Sequence, residues 1–158
     1  MFRTAVDIRG NQEQAALRQH QRQRGGSMAE HSDAKVLRQG MQALAQGDLD
    51  ALQQLWTSDV VLRFPGNHPL AGEHKGPQAA ARAVGRMREE TNGTLRWEPQ
   101  QVFADGRGRV IGIRRLSGER RGRRLDAVGA VICTIVEGRL ASVELFEQDL
   151  DAANHFWS

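Results

Sequence analysis

The sequence predicts an α+β domain: about three helices packed on one face of a curved antiparallel sheet. Three observations predict it. A helical period of apolar residues runs through 34–56. A segment dense in proline and glycine at 64–77 leads into a third helical stretch. After Asn92-Gly93 the chain turns into β-like runs separated by tight turns.

The elements follow in chain order. Residues 1–33 are rich in Gln and Arg and poor in aliphatics. They offer too little apolar surface to offset the entropy of ordering, so a disordered extension is expected, with a polar helix available over Gln12–Arg24. Met28 stands just before the ordered pattern and is an alternative start to Met1. The domain proper is expected at 34–158. Val36, Leu37, Met41, Leu44 and Ala45 make one helical stripe, which Gly47 ends. Asp48 caps a second helix over Leu49–Trp56, and Asp59 opens a short strand, VVLRF, that stops at Pro65. FPGNHPLAGEHKGP, 64–77, reads as neither strand nor helix. Gly76-Pro77 then starts a third helix with proline in its first turn. Strands are expected at about 94–104, 108–117, 123–137 and 139–147, parted by DGRG, SGERRG and EGR. DLDAANHFWS closes the chain as a short helix or an ordered tail.

Composition excludes several classes. With 158 residues the chain fits one domain of ordinary size. No apolar run is long enough to cross a membrane as a helix, and the N-terminus lacks the apolar core of a secretory signal, so a cytoplasmic protein is expected. The single cysteine, Cys133, excludes an internal disulfide and a cysteine-based zinc cluster. Net charge is +3. Eight arginines fall between Arg107 and Arg124, but no aromatic residues are interleaved for base stacking, so a solvated hairpin is favoured over nucleic-acid binding. His68, His74 and Glu73 match no compact metal-ligand spacing. No nucleotide-binding or serine-hydrolase motif occurs, and no cofactor is expected.

GDLDAL, SDVVLRFPG, LAGEHKGPQAA and the hairpin VEGRLASVELFEQD together resemble the nuclear-transport-factor-2-like superfamily, over about 34–158. FPGNHPLAG and the ending HFWS resemble its SnoaL-like branch, related to polyketide cyclases and ketosteroid isomerases. The resemblance implies a cone-shaped fold with an apolar pocket, a small apolar ligand, and a homodimer through the outer sheet face. It also implies where catalytic groups would stand. The isomerases' base, oxyanion tyrosine and oxyanion aspartate fall on Phe64, Gly40 and near Ile132, so the isomerase mechanism is absent in its known form. The cyclases' acid/base position falls near Leu145, within reach of Glu144 or Glu147. The Asp–Arg–Asp set of limonene epoxide hydrolases has possible counterparts in Asp126, Arg63 or Arg114, and Glu147.

The candidate residues are Asp126 and His68 as proton-handling groups. Asp126 shares a strand face with Val128, Ala130 and Ile132, which the resemblance makes the pocket face. A carboxyl among apolar neighbours would have a raised pKa; the plainer reading is an acid paired with Arg114 or Arg124 and solvated. His68 would stand at the pocket mouth. Trp56, Arg63, Phe64, Trp97, Arg114, Ile132 and Glu147 complete the expected pocket or stabilise charge in it, with Glu147 inward and Glu144 outward. Two functions follow: a cofactor-independent acid/base enzyme acting on an apolar molecule, or a non-catalytic ligand-binding or dimeric interaction module of the same fold. Asp126 turned outward toward arginines would remove most of the basis for the first.

Overall fold

The computed structural model describes residues 13–16 and 30–158. Residues 13–16 are helical; the expectation of disorder over 1–33 otherwise lies almost wholly outside the described residues. Residues His31–Ser158 form a compact unit, whose first helix, α1, spans Ser32–Gln46.

Of the stripe read from the sequence, Leu37 and Met41 are buried at 3% and 1% exposure, Val36 and Leu44 are partly buried and Ala45 is exposed; Ala34, Gly40 and Ala43 complete the buried face of α1. Burying each side chain contributes about 1.5–3 kcal/mol before entropy is counted. Gly47 ends the helix in the left-handed region, φ 69°, returning its N–H to Ala43 and Leu44 carbonyls. Asp48 caps α2, Leu49–Gln54, by accepting from Ala51 N–H. The expected helix over Leu49–Trp56 is shorter than read. Trp56 instead begins strand β1, Trp56–Phe64, and is held by parallel pairing with Leu140.

The loop after Pro65 departs from the expectation as well. Its second half is strand β2, Gly72–Lys75, antiparallel to β1 with Arg63 opposite Glu73. Polar residues on an edge strand carry no periodic apolar signal, which is why the pattern is silent there. Helix α3, Pro77–Glu90, follows with proline at its start. Then come β3 (Arg96–Ala104), β4 (Arg109–Arg120), β5 (Arg123–Val136), β6 (Arg139–Glu147) and α4, Leu150–Trp157. The closing segment is thus a helix, capped by Asp149 accepting from Ala152 N–H.

The six strands form one sheet in the order β2-β1-β6-β5-β4-β3. All neighbours are antiparallel except β1 and β6. Register shifts interrupt the ladders at Trp56/Val61, Pro99/Gln101 and Thr134/Ile135. Such irregularities bend strands and increase local twist, which curves a sheet around whatever it covers. The helices cover the concave face. There Gly112 allows close packing by α1, since an added Cβ would meet Met41 Sδ at 3.0 Å.

Candidate functional site

Inside the concave face lies a narrow cavity lined almost wholly by apolar side chains from α1, α2, α3 and the sheet, among them Met41, Trp56, Phe64, Met87, Trp97 and Leu145. The cavity volume is about 40 Å³. A smaller cleft adjoins it, shares Phe64, Met87 and Leu145 with it, and adds His68, Glu147, Ala153 and Trp157. The cavity is lined by apolar residues alone; His68 and Glu147 line the cleft beside it.

The polar side chains nearby come from two strands and one loop. On the inner face, Arg114 of β4, Gly129 of β5 and Glu147 of β6 lie side by side. Arg114 reaches across Gly129 and donates from Nη2 to Glu147 Oε1 at 2.5 Å. Both side chains are buried, at 0% and 7% exposure. The Arg114 guanidinium carbon also stands 5.2 Å from the Trp97 ring centre, a cation–π distance. The pair is incompletely satisfied: Arg114 Nε and Nη1 and Glu147 Oε2 are buried without a partner among the described residues.

His68 is half-buried in the connector that leads from β1 to β2. Its Nδ1 accepts from Leu70 N–H at 3.2 Å, which leaves the ring proton of the neutral form on Nε2. Burial lowers its pKa below the usual histidine value, and the charge of Arg120 adds to this, while the Pro65 carbonyl opposes it. The His68 ring lies 6.3 Å from that of Trp157. Trp157 is held in place by its helix. Buried Arg120 donates to the Phe156 and Ser158 carbonyl oxygens at 3.1 and 2.6 Å and to Glu90 at 2.8 Å. Asn154 Oδ1 accepts from Asn67 N–H at 2.9 Å, tying the connector to α4.

Three expected pocket residues face the other way. Asp126 does alternate with Val128, Ala130 and Ile132, but that set lies on the convex face, so Asp126 and Ile132 leave the pocket. The residues beside Ile132, Val131 and Cys133, line the cavity in its stead. Asp126 accepts two hydrogen bonds from Arg115, at 2.6 and 2.7 Å. The Arg115 guanidinium holds its carboxyl below the usual carboxylate range, the reverse of the raised pKa expected for a pocket acid. Arg63 also points outward, bridging Glu73 at 2.7 Å and Glu144 at 2.9 Å. Trp56, Phe64, Trp97 and Glu147 line the cavity or cleft. Burial pushes the Cys133 thiol up, with the Glu144 charge adding to it, so the thiolate is disfavoured.

No group of three or more His, Cys, Asp or Glu among the described residues is placed to hold a metal ion. No described helix is long and apolar enough to cross a membrane.

An α+β cone with an apolar interior and a few polar groups at its mouth defines a class of pocket-bearing domain. Residues 37–143 match the SnoaL-like domain family, and the chain belongs to it. A relative is the uncharacterized protein Rv0034 of Mycobacterium tuberculosis, 31% identical over 131 residues, which are 83% of this chain and 100% of that protein. Among solved structures, Bal32a from a soil-derived mobile gene cassette is 34% identical, with TM-score 0.78, over 80% of this chain and 97% of that one. A nuclear-transport-factor-2-like protein of Burkholderia xenovorans (20% identical, TM-score 0.69, 84% of this chain and 100% of that one) shares the fold. So does a putative polyketide cyclase of Sinorhizobium meliloti, at 22% identity and TM-score 0.59 over 70% and 93% of the two chains. Family and fold together are those of a SnoaL-like domain.

Proposed function

We propose that this protein binds a small, largely apolar molecule in the cavity and moves a proton on it without a cofactor. Glu147 is the base in the wall, Arg114 directs its carboxylate, and His68 is the second proton-handling group at the mouth. One observation carries the reading. Glu147, a buried carboxylate with one oxygen unpartnered among the described residues, lines the cleft that adjoins the apolar cavity. A base in such a place meets its substrate without competition from bulk water. Asp126, exposed and tied to Arg115, has no part in it.

The second reading is a pocket that binds without turning over. The outward placement of Asp126 favours it, because one of the two proton-handling groups expected from the sequence is absent from the cavity. In either case the working form is proposed to be a homodimer. The convex face exposes Phe103, Ile111, Val128 and Phe146 at 38–55%. Charge pairs flank these residues on both sides, Arg115 with Asp126 and Arg63 with Glu73 and Glu144. An apolar centre with a charged rim that carries both signs can pair with its own copy about a twofold axis.

The test is a thermal-shift screen of steroid, polyketide and terpenoid compounds, with hits assayed for turnover in wild type, Glu147→Gln and His68→Gln. A ligand at a hundred times its dissociation constant stabilises the fold by about 2.7 kcal/mol. Turnover in wild type that falls at least about a hundredfold in Glu147→Gln supports the enzyme, given the usual share of a general base. Binding with no turnover in wild type leaves the binding module.

A further inference from the structure

The cavity is too small for the molecule proposed to occupy it. Its volume of about 40 Å³ is the room of roughly three waters. Nearly every side chain that lines it is buried, Cys133 fully. A molecule of even one ring therefore enters only if a covering element moves. Two covers stand out by how little they bury. The first, α2, buries Leu52 alone, but it is fixed at both ends. Gly47 and Asp48 return their N–H groups to carbonyls of α1, and the Leu55 carbonyl accepts from Leu140 N–H at 2.7 Å. The second, α4, is held differently. Gln148 N–H donates to the Val128 carbonyl at 3.1 Å, and Leu150, Asp151 and Ala152 beyond it are exposed. Among the described residues, the hydrogen bonds that tie α4 down gather at and just past its second half. Asn67 N–H donates to Asn154 Oδ1, Arg123 to the His155 carbonyl, and Arg120 to the carbonyls of Phe156 and Ser158.

Space lies on both sides of α4. On one side is the cleft, lined by Ala153 and Trp157 together with His68 and Glu147. On the other is a groove of about 480 Å³, to which α4 gives Ala152, His155 and Phe156, and β5 gives Ala127 and Val128. We infer that α4 is the gate of the cavity. It swings toward the groove as one body about Gln148 and Asp149 and carries Trp157 off His68. The cleft then opens into the cavity past Phe64, Met87 and Leu145, which line both. The helix stays whole as it moves, because its cap is its own, Asp149 accepting from Ala152 N–H. What breaks is the Asn67 bond and the arginine clasp, whose groups water can satisfy once the helix lifts. Opening is therefore a local event that costs less than unfolding the domain. On the reading that the cavity is the ligand pocket, this route takes a substrate past His68 and Glu147 on its way in, and closure shuts water out behind it.

Cys133 is a reporter built into the cavity wall, and it is the single cysteine of the chain. Its reaction with methyl methanethiolsulfonate, a small neutral reagent, is timed by mass spectrometry in native buffer on wild type, Asn154→Ala and Asp48→Ala. Asn154→Ala removes the tie between α4 and the connector. Asp48→Ala removes the cap of α2, a loss of similar size to the fold as a whole. Labelling is expected to run roughly three- to tenfold faster in Asn154→Ala, the worth of one hydrogen bond, and at the wild-type rate in Asp48→Ala. Low urea is expected to leave the wild-type rate unchanged, since a swinging helix exposes little surface. Equal acceleration by the two variants, or a rate that climbs with urea as steeply as global unfolding, means that the thiol is reached only by unfolding and overturns the gate. An unchanged rate in Asn154→Ala overturns it as well, and acceleration in Asp48→Ala alone would move the entrance to α2. None of these results decides the pocket reading, which stands or falls with the thermal-shift screen.

Discussion

Arg114 and Arg115 are adjacent on β4, yet each meets its carboxylate in a different medium. Arg114 lies on the concave face, fully buried, against Glu147. Arg115 lies on the convex face, half exposed, against Asp126. The convex pair is the better made by geometry, with two parallel hydrogen bonds against one. It is also the weaker candidate for function. Solvent screens an exposed pair and its loss leaves both partners free to hydrate. The concave pair has no such escape, because either group left alone is a buried charge. Burial and unmet hydrogen bonds, rather than bond count, are why we propose a role for the concave pair.

The largest effect expected from this contrast comes from breaking the concave pair. Arg114→Met alone leaves the Glu147 carboxylate buried without its partner and is expected to cost about 3–5 kcal/mol of stability. Chemical denaturation measures it. Replacing both, Arg114→Met/Glu147→Leu, is expected to recover most of that loss; a double variant no more stable than the single would show that packing rather than charge is at stake.

Next comes the helix that covers the cleft. Arg120 is 4% exposed and holds the last carbonyls of α4. Arg120→Met is expected to cost roughly 1–3 kcal/mol, the range for hydrogen bonds made by a charged group. Faster hydrogen exchange confined to 150–157 would mark the detachment of α4; uniform change across the sheet would argue against it.

A smaller effect follows from His68. Its folded pKa lies below the ordinary 6.5. The unfolded chain therefore binds more protons between those two values, and stability falls as pH drops through 6.5 toward the folded pKa. His68→Gln is expected to flatten that part of the stability profile. An unchanged profile would mean that the ring is not shielded in the fold.

The smallest effect is expected on the convex face. Asp126→Asn should leave both the unfolding midpoint and ligand binding within experimental error. A large loss of turnover there would return Asp126 to the mechanism.

Much of the fold was legible in the residues. Leu37 and Met41 on the buried face, the Gly47 stop, the Asp48 cap and the turns before Arg109 and Arg139 appear where the sequence puts them, whereas Ser117–Arg120, read as part of a turn, extend β4. The facing of β5 was not, and the reason is physical. Leu125, Val131, Cys133 and Ile135 make one apolar row, and Val128, Ala130, Ile132 and Val136 make another. Where both faces of a strand are apolar, alternation no longer tells inside from outside, and a choice of the wrong face moves every residue at once. The convex row is apolar because it is the exposed patch that we propose pairs with a second copy. The same ambiguity holds on β4, where Val110 and Leu116 share parity with Arg114 while Ile111 and Ile113 share it with Arg115; burial in the structure shows the first row to be inward. Its strand pairing then carries that parity to Gly129 and Glu147, and so away from Asp126.

The most direct test is a pair of double-mutant cycles on the two neighbouring arginines, Arg114 with Glu147 and Arg115 with Asp126, read as unfolding free energies. The account predicts a coupling energy well above error for the concave pair and one indistinguishable from zero for the convex pair. Equal couplings, or a larger one between Arg115 and Asp126, would contradict it.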